Sequence, residues 1–326
     1  MPDTGFLHAM DHLDPQVVRL AEAAARDGLA PADPLRQTIA QARAAAERYH
    51  DFLNGSSFPS VEIVEVAASG HGPSGCLRLR LYRPAGGGAG RPVLLYVHGG
   101  GFVVNSVDTH DRLLRLLAVR SGAVVCAVRY TRAPEKRFPH QYEEVLAALR
   151  WIASDGAAHG LDAGRIAVGG DSAGANLALG AALAARAPGG PRVAFGLLFY
   201  GMFAHDFDSL SHRRYGDGRY GLTTDRMRWY WTQYLGGPAI TRDPRAAPLL
   251  ADLSGLPPLL LLTAGLDCLR DDSLRLAERL AEAGVDHRLV ICERLPHSFA
   301  TMTRTVEAAD RAVSLAAETV RARLAA

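Results

Sequence analysis

The sequence predicts an α/β fold: a mostly parallel, eight-stranded sheet with helices on both faces and a helical cap. Three observations carry this. From residue 92 onward, six apolar runs at 93–97, 123–128, 165–168, 193–199, 258–263 and 287–292 alternate with helical stretches. Strands that apolar belong in a parallel sheet covered on both sides. Two further β-type segments, 61–67 and 76–83, precede the runs and bring the strand count to eight. Finally, Gly170-Asp171-Ser172-Ala173-Gly174 joins an apolar strand to the helical stretch that follows it.

Taken in order, residues 1–55 read as helical and form the first part of the cap. Asp14-Pro15 opens one helix with proline at its first position, and Val17, Val18, Leu20, Ala21 and Ala24 give it an apolar face. A second helix is expected over 34–53. Segment 76–83 alternates Leu77, Leu79 and Leu81 with Arg78, Arg80 and Arg83, the pattern of a half-buried antiparallel strand. Helices between the apolar runs are expected near 108–121, 141–154, 173–187, 271–283 and 305–324. Residues 203–238 break the alternation, with Tyr215, Tyr220, Trp229, Tyr230, Trp231 and Tyr234 and no strand signal. That is too long for a simple loop and is assigned as a second cap insertion. The remainder, 56–326, is expected to form one α/β domain that carries this insertion.

Composition narrows the function. With 326 residues, 48% hydrophobic and 21% charged, the chain can bury a sizeable core. A net charge of +2 gives no electrostatic case for nucleic acid. No apolar run is long enough to span a bilayer, and the N-terminus lacks the order of a secretory signal, so a cytoplasmic location is expected. Cys76, Cys126, Cys268 and Cys292 are scattered and read as reduced, small hydrophobes. His110, near Asp108 and Asp111, reads as part of a polar helix start and not as a metal ligand.

The turn at Ser172 fits a nucleophile elbow, whose flanking glycines leave room where a side chain would clash. A serine hydroxyl needs a base, and the base needs an orienting carboxylate. The partners should follow in the order acid, histidine, each just past the end of a strand. Asp267 follows the run 258–263, and His297 follows the run 287–292. Asp271 and Asp272 compete with Asp267; they read instead as a helix cap and a first-turn acid. His98-Gly99-Gly100-Gly101, after the run 93–97, supplies a turn whose N–H groups can approach an oxyanion.

These residues resemble the hormone-sensitive lipase family of α/β-hydrolases, marked by His-Gly-Gly-Gly and Gly-Asp-Ser-Ala-Gly. The likeness covers about 60–326 and extends to Tyr130-Thr131-Arg132-Ala133-Pro134-Glu135 and Phe138-Pro139. The stretch from His98 through Thr109-His110-Asp111-Arg112 is similar to bacterial acetyl esterases. The resemblance implies an α/β-hydrolase fold, Ser172 as nucleophile, Asp267 as acid and His297 as base. Gly100, Gly101 and Ala173 would donate the oxyanion-hole N–H groups, while His98 and Gly99 would position the loop. Four departures stand out: Asp267-Cys268-Leu269 for the usual Asp-Pro-Leu, His297-Ser298-Phe299 for His-Gly-Phe, Ala175 for a glycine, and Asn105 where glycine is frequent.

The expected protein is a serine carboxylesterase acting on short-chain, acetyl-type esters through an acyl-enzyme, with no metal and no organic cofactor. An amidase, lactonase or carbamate hydrolase could use the same triad, and a non-catalytic receptor on this fold is the non-enzymatic alternative. A small-molecule ester is the expected partner, and a homodimer would form through the last strand and helix.

Overall fold

A computed structural model describes residues 12–29, 31, 33–86 and 88–325. Two helices come first, α1 (Pro15–Arg26) and α2 (Ile39–Asn54), followed by β1 (Val61–Ser69), β2 (Cys76–Pro84) and β3 (Arg91–Val97). Then come α3 (Asp111–Ser121), β4 (Val124–Val128), α4 (His140–Ser154), β5 (Leu161–Asp171), α5 (Ala173–Ala185) and β6 (Val193–Phe199). Two helices, α6 (Leu210–Tyr215) and α7 (Thr224–Leu235), intervene before β7 (Leu259–Leu266), α8 (Arg270–Glu282), β8 (His287–Pro296) and α9 (Glu307–Leu324).

The strands form one sheet in the order β1-β2-β4-β3-β5-β6-β7-β8. Strand β2 is antiparallel to both neighbours, and the pairs from β4 across to β8 are parallel. Alternating side chains divide the core. Val93, Leu95, Val124, Cys126, Ile166 and Val168 join a cluster with α4, α5 and α8. Leu94, Tyr96, Val125, Ala127 and Ala167 join one with α3 and α9 on the opposite face. Parallel strands buried this way lose the polar alternation of β2, where Arg78 is exposed and Arg80 and Arg83 are half-buried.

Several boundaries differ from expectation. Helix α2 starts at Ile39, not 34, because Thr38 and Gln41 form a capping box: Gln41 N–H donates to Thr38 Oγ1 at 3.3 Å and Thr38 N–H to Gln41 Oε1 at 2.9 Å. Strand β5 starts earlier, at Leu161, through pairing with Arg91, and runs through Gly169 and Gly170 to Asp171. Cys76 is exposed, not core, although all four cysteines are free. Asp271 does not cap α8: the N-cap position is Leu269, and Asp271 Oδ2 accepts the Ser211 N–H at 2.9 Å. Among the described residues no helix is long and apolar enough to cross a membrane.

The first two helices are tied to the body by backbone and side-chain bonds. Asp14 N–H donates to Arg294 O at 2.9 Å, Glu307 N–H to Gln16 Oε1 at 2.7 Å, and Arg43 Nε to Val103 O at 2.8 Å. The tethers lie beside the C-terminal ends of β3 and β8. Together with 219–230 these helices therefore roof the rim where the strands end.

Candidate active site

Four parallel strands deliver the predicted groups to one rim, each just beyond its last residue: His98 after β3, Ser172 after β5, Asp267 after β7 and His297 after β8. Their positions follow from the strand-then-turn pattern in the sequence, since the C-terminal ends of parallel strands point the same way.

Ser172 sits at φ +54° and ψ −119°, outside the regions L-residues favour. Such a conformation costs about 1–3 kcal/mol and persists only when its surroundings impose it. Here the constraint is close packing. A Cβ on Gly174 would lie 2.0 Å from Val97 O, and one on Gly170 would lie 2.5 Å from Gly174 C. Ser172 N–H donates to Phe199 O at 2.9 Å, joining the elbow to the end of β6. The serine occupies the N-cap position of α5, at its positive end, without a side-chain capping bond.

His297 Nδ1 lies 2.7 Å from Asp267 Oδ2 and Nε2 lies 3.0 Å from Ser172 Oγ. A carboxylate only accepts, so Nδ1 carries the proton and Nε2 is free to accept from the hydroxyl. Asp267 is fully buried, and its Oδ1 accepts the Leu269 N–H at 3.0 Å. Both carboxylate oxygens are therefore engaged and the imidazole is fixed in one tautomer.

Gly100 and Gly101 form part of the pocket wall next to Ser172, at φ +116° and +58°. Ala173 is buried as the first residue of α5. His98 stands apart from the hydroxyl. Its Nδ1–H donates to Gly99 O at 2.8 Å, and its ring stacks on Tyr130 with centroids 4.3 Å apart. Burial lowers its pKa to about 3, so it remains neutral. Gly99 N–H donates to Asp171 Oδ1 at 3.0 Å.

The structure adds groups that sequence reasoning passed over. Asp171 and His110 meet in a buried contact of 3.2 Å; in the sequence the first reads only as part of the turn and the second only as part of a polar helix start. Asp272 lies in the first turn of α8, as read, but carries a further role. It is buried, and its Oδ2 accepts the N–H groups of Phe203 at 2.7 Å and Ala204 at 2.9 Å. Burial raises its pKa to about 7, against the lowering effect of those two bonds. The positive-φ residues other than glycine among the described residues are Phe102, Asn105, Ser172, Tyr200 and Ser298. All five lie in the turns that form this rim. Asn105 and Ser298 occupy the positions where the resemblance expects glycine, which is the residue that adopts this backbone without strain.

A cavity of about 300 Å³ opens onto Ser172 and His297. Its walls are mainly apolar: Leu13, Val17 and Val18 from the α1 end, Ala46 and Leu53 from α2, then Met202, Leu222 and Met227. Tyr230, of the predicted aromatic cluster, lines it, whereas Trp231 and Tyr234 are buried in the core. Two arginines on the wall are already paired, Arg219 with Asp217 at 2.6 Å and Arg226 with Asp33 at 3.5 Å. No group of three or more potential metal ligands occurs among the described residues.

Comparison with known proteins agrees with this architecture. The profile of the alpha/beta hydrolase fold family matches residues 94–301. Esterase LipI of Mycobacterium tuberculosis is 38% identical over 277 residues, covering 83% of this chain and 85% of that protein. The ethyl acetate hydrolase of Pseudomonas putida is 39% identical over 257 residues, covering 76% of this chain and 79% of its own. The structure of a hyperthermophilic esterase from Pyrobaculum calidifontis superposes with a TM-score of 0.86 at 34% identity, over 96% of this chain and 99% of that one. The chain therefore belongs to the hormone-sensitive-lipase-like branch of the α/β-hydrolase family, a branch of carboxylic ester hydrolases.

Proposed function

We propose that this carboxylic ester hydrolase works by acyl transfer through Ser172 and acts on small, neutral, short-chain esters of the acetyl type. The observation that carries the reading is the run of contacts from Asp267 to His297 Nδ1 at 2.7 Å and from His297 Nε2 to Ser172 Oγ at 3.0 Å. His297 takes the hydroxyl proton as Oγ attacks the ester carbonyl, and Asp267 holds the imidazole and balances its positive charge. The N–H groups of Gly100, Gly101 and Ala173 receive the oxyanion. His297 then protonates the leaving alcohol, and water repeats the cycle on the acyl-enzyme. His98 and Gly99 shape the turn. The steps use side chains, backbone and water alone.

Short acyl groups fit a cavity of about 300 Å³, at the small end of ligand sites. Neutral substrates fit because both arginines on the wall are already paired. The Pseudomonas putida relative, an ethyl acetate hydrolase, points the same way. Residues 12–29, 31 and 33–55, the described part of 1–55, together with 203–238, act as the cap over a catalytic body spanning 56–326; residues 1–11, 30 and 32 lie outside the described region. Four free cysteines suit a reducing, cytoplasmic setting. A homodimer would use β8, which is paired on one side only, with α9.

The test is Ser172→Ala assayed on p-nitrophenyl esters of increasing acyl length, with amides and lactones alongside. Turnover should vanish while the circular dichroism spectrum is retained, and the wild-type enzyme should prefer acetyl and propionyl esters. Wild-type turnover in Ser172→Ala would refute the mechanism. A preference for amides, lactones or long acyl chains would replace the substrate class only.

A further inference from the structure

Behind the oxyanion turn lies a buried polar cluster that none of the acyl-transfer steps uses. Asp171 immediately precedes the nucleophile, and its side chain is turned away from the pocket. Its Oδ1 accepts the Gly99 N–H at 3.0 Å and the Tyr96 hydroxyl at 3.1 Å. His110 Nε2 lies 3.2 Å from Oδ1 and 3.3 Å from Oδ2, with the two side chains 1% and 3% exposed. The carboxylate only accepts, so Nε2 carries a proton. On the other side of the ring, Nδ1 lies 2.9 Å from Thr109 Oγ1 and 3.3 Å from Ser106 O. Three separate segments, the end of β3, the glycine turn and the approach to α3, thus converge on one carboxylate joined to Ser172.

The approach is tight as well as bonded. A Cβ on Gly99 would lie 2.4 Å from Asp171 Oδ2. A carboxylate this deep is costly unless its oxygens are satisfied. Burial raises the Asp171 pKa, while His110 and the Gly99 N–H lower it, and the balance falls below the ordinary value. The His50 ring of α2 stacks on His110 with centroids 5.7 Å apart and 23° between planes, and His50 itself lines the pocket.

We propose that Asp171 and His110 are positioning residues for the reaction. Their buried contact holds the His98–Gly101 turn where its N–H groups meet the oxyanion formed at Ser172. This rests on the reading of Gly100 and Gly101 as oxyanion donors. With His110 gone, the carboxylate loses its imidazole N–H donor and draws in other donors, and the turn bonded to Oδ1 follows it. A small displacement of the donors weakens transition-state binding and leaves ground-state binding intact.

The test compares His110→Ala, His110→Gln and Tyr96→Phe with wild type. Active sites are counted by organophosphonate titration, so that loss of folded protein is separated from loss of turnover. In His110→Ala, kcat per titrated site should fall about 10- to 100-fold with KM within about twofold. Affinity for a trifluoromethyl ketone, which forms an oxyanion on the serine, should fall by the same factor. His110→Gln, whose amide N–H can still reach the carboxylate, should recover most of the loss. Tyr96→Phe keeps its ring and removes one donor to the same carboxylate. It should lower kcat about three- to tenfold, and it carries the test if His110→Ala does not fold. Wild-type kcat per site and ketone affinity in the folded variants would overturn the proposal. If Ser172→Ala is inactive in the same experiment, the serine mechanism survives that result. If Ser172→Ala keeps its turnover, the oxyanion reading fails first and takes the proposal with it.

Discussion

Gly101→Ala tests the oxyanion turn through one methyl group. The new Cβ would lie 2.1, 2.2 and 2.6 Å from Cδ1, Cγ and Cε1 of Tyr230. Carbon atoms rest about 3.5–4.0 Å apart, so either the ring or the turn must move by more than an ångström. Tyr230 is buried on α7 and forms part of the pocket wall, which favours movement of the turn. The backbone adds strain, because alanine at φ +58° costs about 1–2 kcal/mol of stability. Losing one oxyanion donor costs about 3 kcal/mol, or roughly 100-fold in kcat. Steady-state kinetics on p-nitrophenyl acetate, normalised by active-site titration, should show that loss mainly in kcat. The double variant Gly101→Ala/Tyr230→Ala removes the obstruction and should regain at least about tenfold over Gly101→Ala. Activity of Gly101→Ala within threefold of wild type would show that the turn does not hold a donor at this position. A rise in KM with kcat unchanged would show that the ring, not the turn, had moved.

Three further outcomes follow from the geometry. Ser298, at φ +64° directly after the histidine, should gain about 1 kcal/mol of stability as Ser298→Gly with kcat preserved, read as a higher Tm; a lower Tm would contradict the strain argument. The Asp272 carboxyl, raised to about 7 by burial, binds its proton more tightly in the folded protein than in the unfolded chain, so its stabilising effect is complete below about pH 4 and lost as pH rises through 7. Wild type should therefore lose on the order of 4 kcal/mol across that window relative to Asp272→Asn, and parallel urea-denaturation curves at pH 5 and 8 would be incompatible with this. Val18→Trp fills the apolar cavity from the α1 side and should raise acetyl-over-hexanoyl selectivity at least about tenfold in kcat/KM; unchanged selectivity would mean that the acyl chain lies elsewhere.

The central strands were legible because their burial on both faces leaves an uninterrupted apolar run, as in Leu259-Leu260-Leu261-Leu262. Ser172, Asp267 and His297 were legible for a related reason: each stands in the first turn after such a run, so topology alone brings them to one rim. Ends of elements were harder. The Thr38–Gln41 capping box was present in the sequence, but the apolar spacing of 34–53 drew the helix start too early. Partnerships formed across the fold left no local trace. Asp272 looks like an ordinary first-turn acid until Phe203 and Ala204 are seen to direct their N–H groups at it. His110 lies 61 residues from Asp171, and nothing in its own neighbourhood marks it as a carboxylate's partner. The aromatic cluster divided by helix geometry: Trp231 and Tyr234 turn inward, while Tyr230 faces the pocket.

The most direct trial of the mechanism is to quench the wild-type enzyme in acid during turnover of an activated acetyl ester and map the acylated peptide by mass spectrometry. The account predicts one acetyl group, on Ser172, and almost none in His297→Gln, where the serine hydroxyl lacks the base that activates it. An acetyl group on another side chain, or none under conditions of rapid turnover, would contradict it.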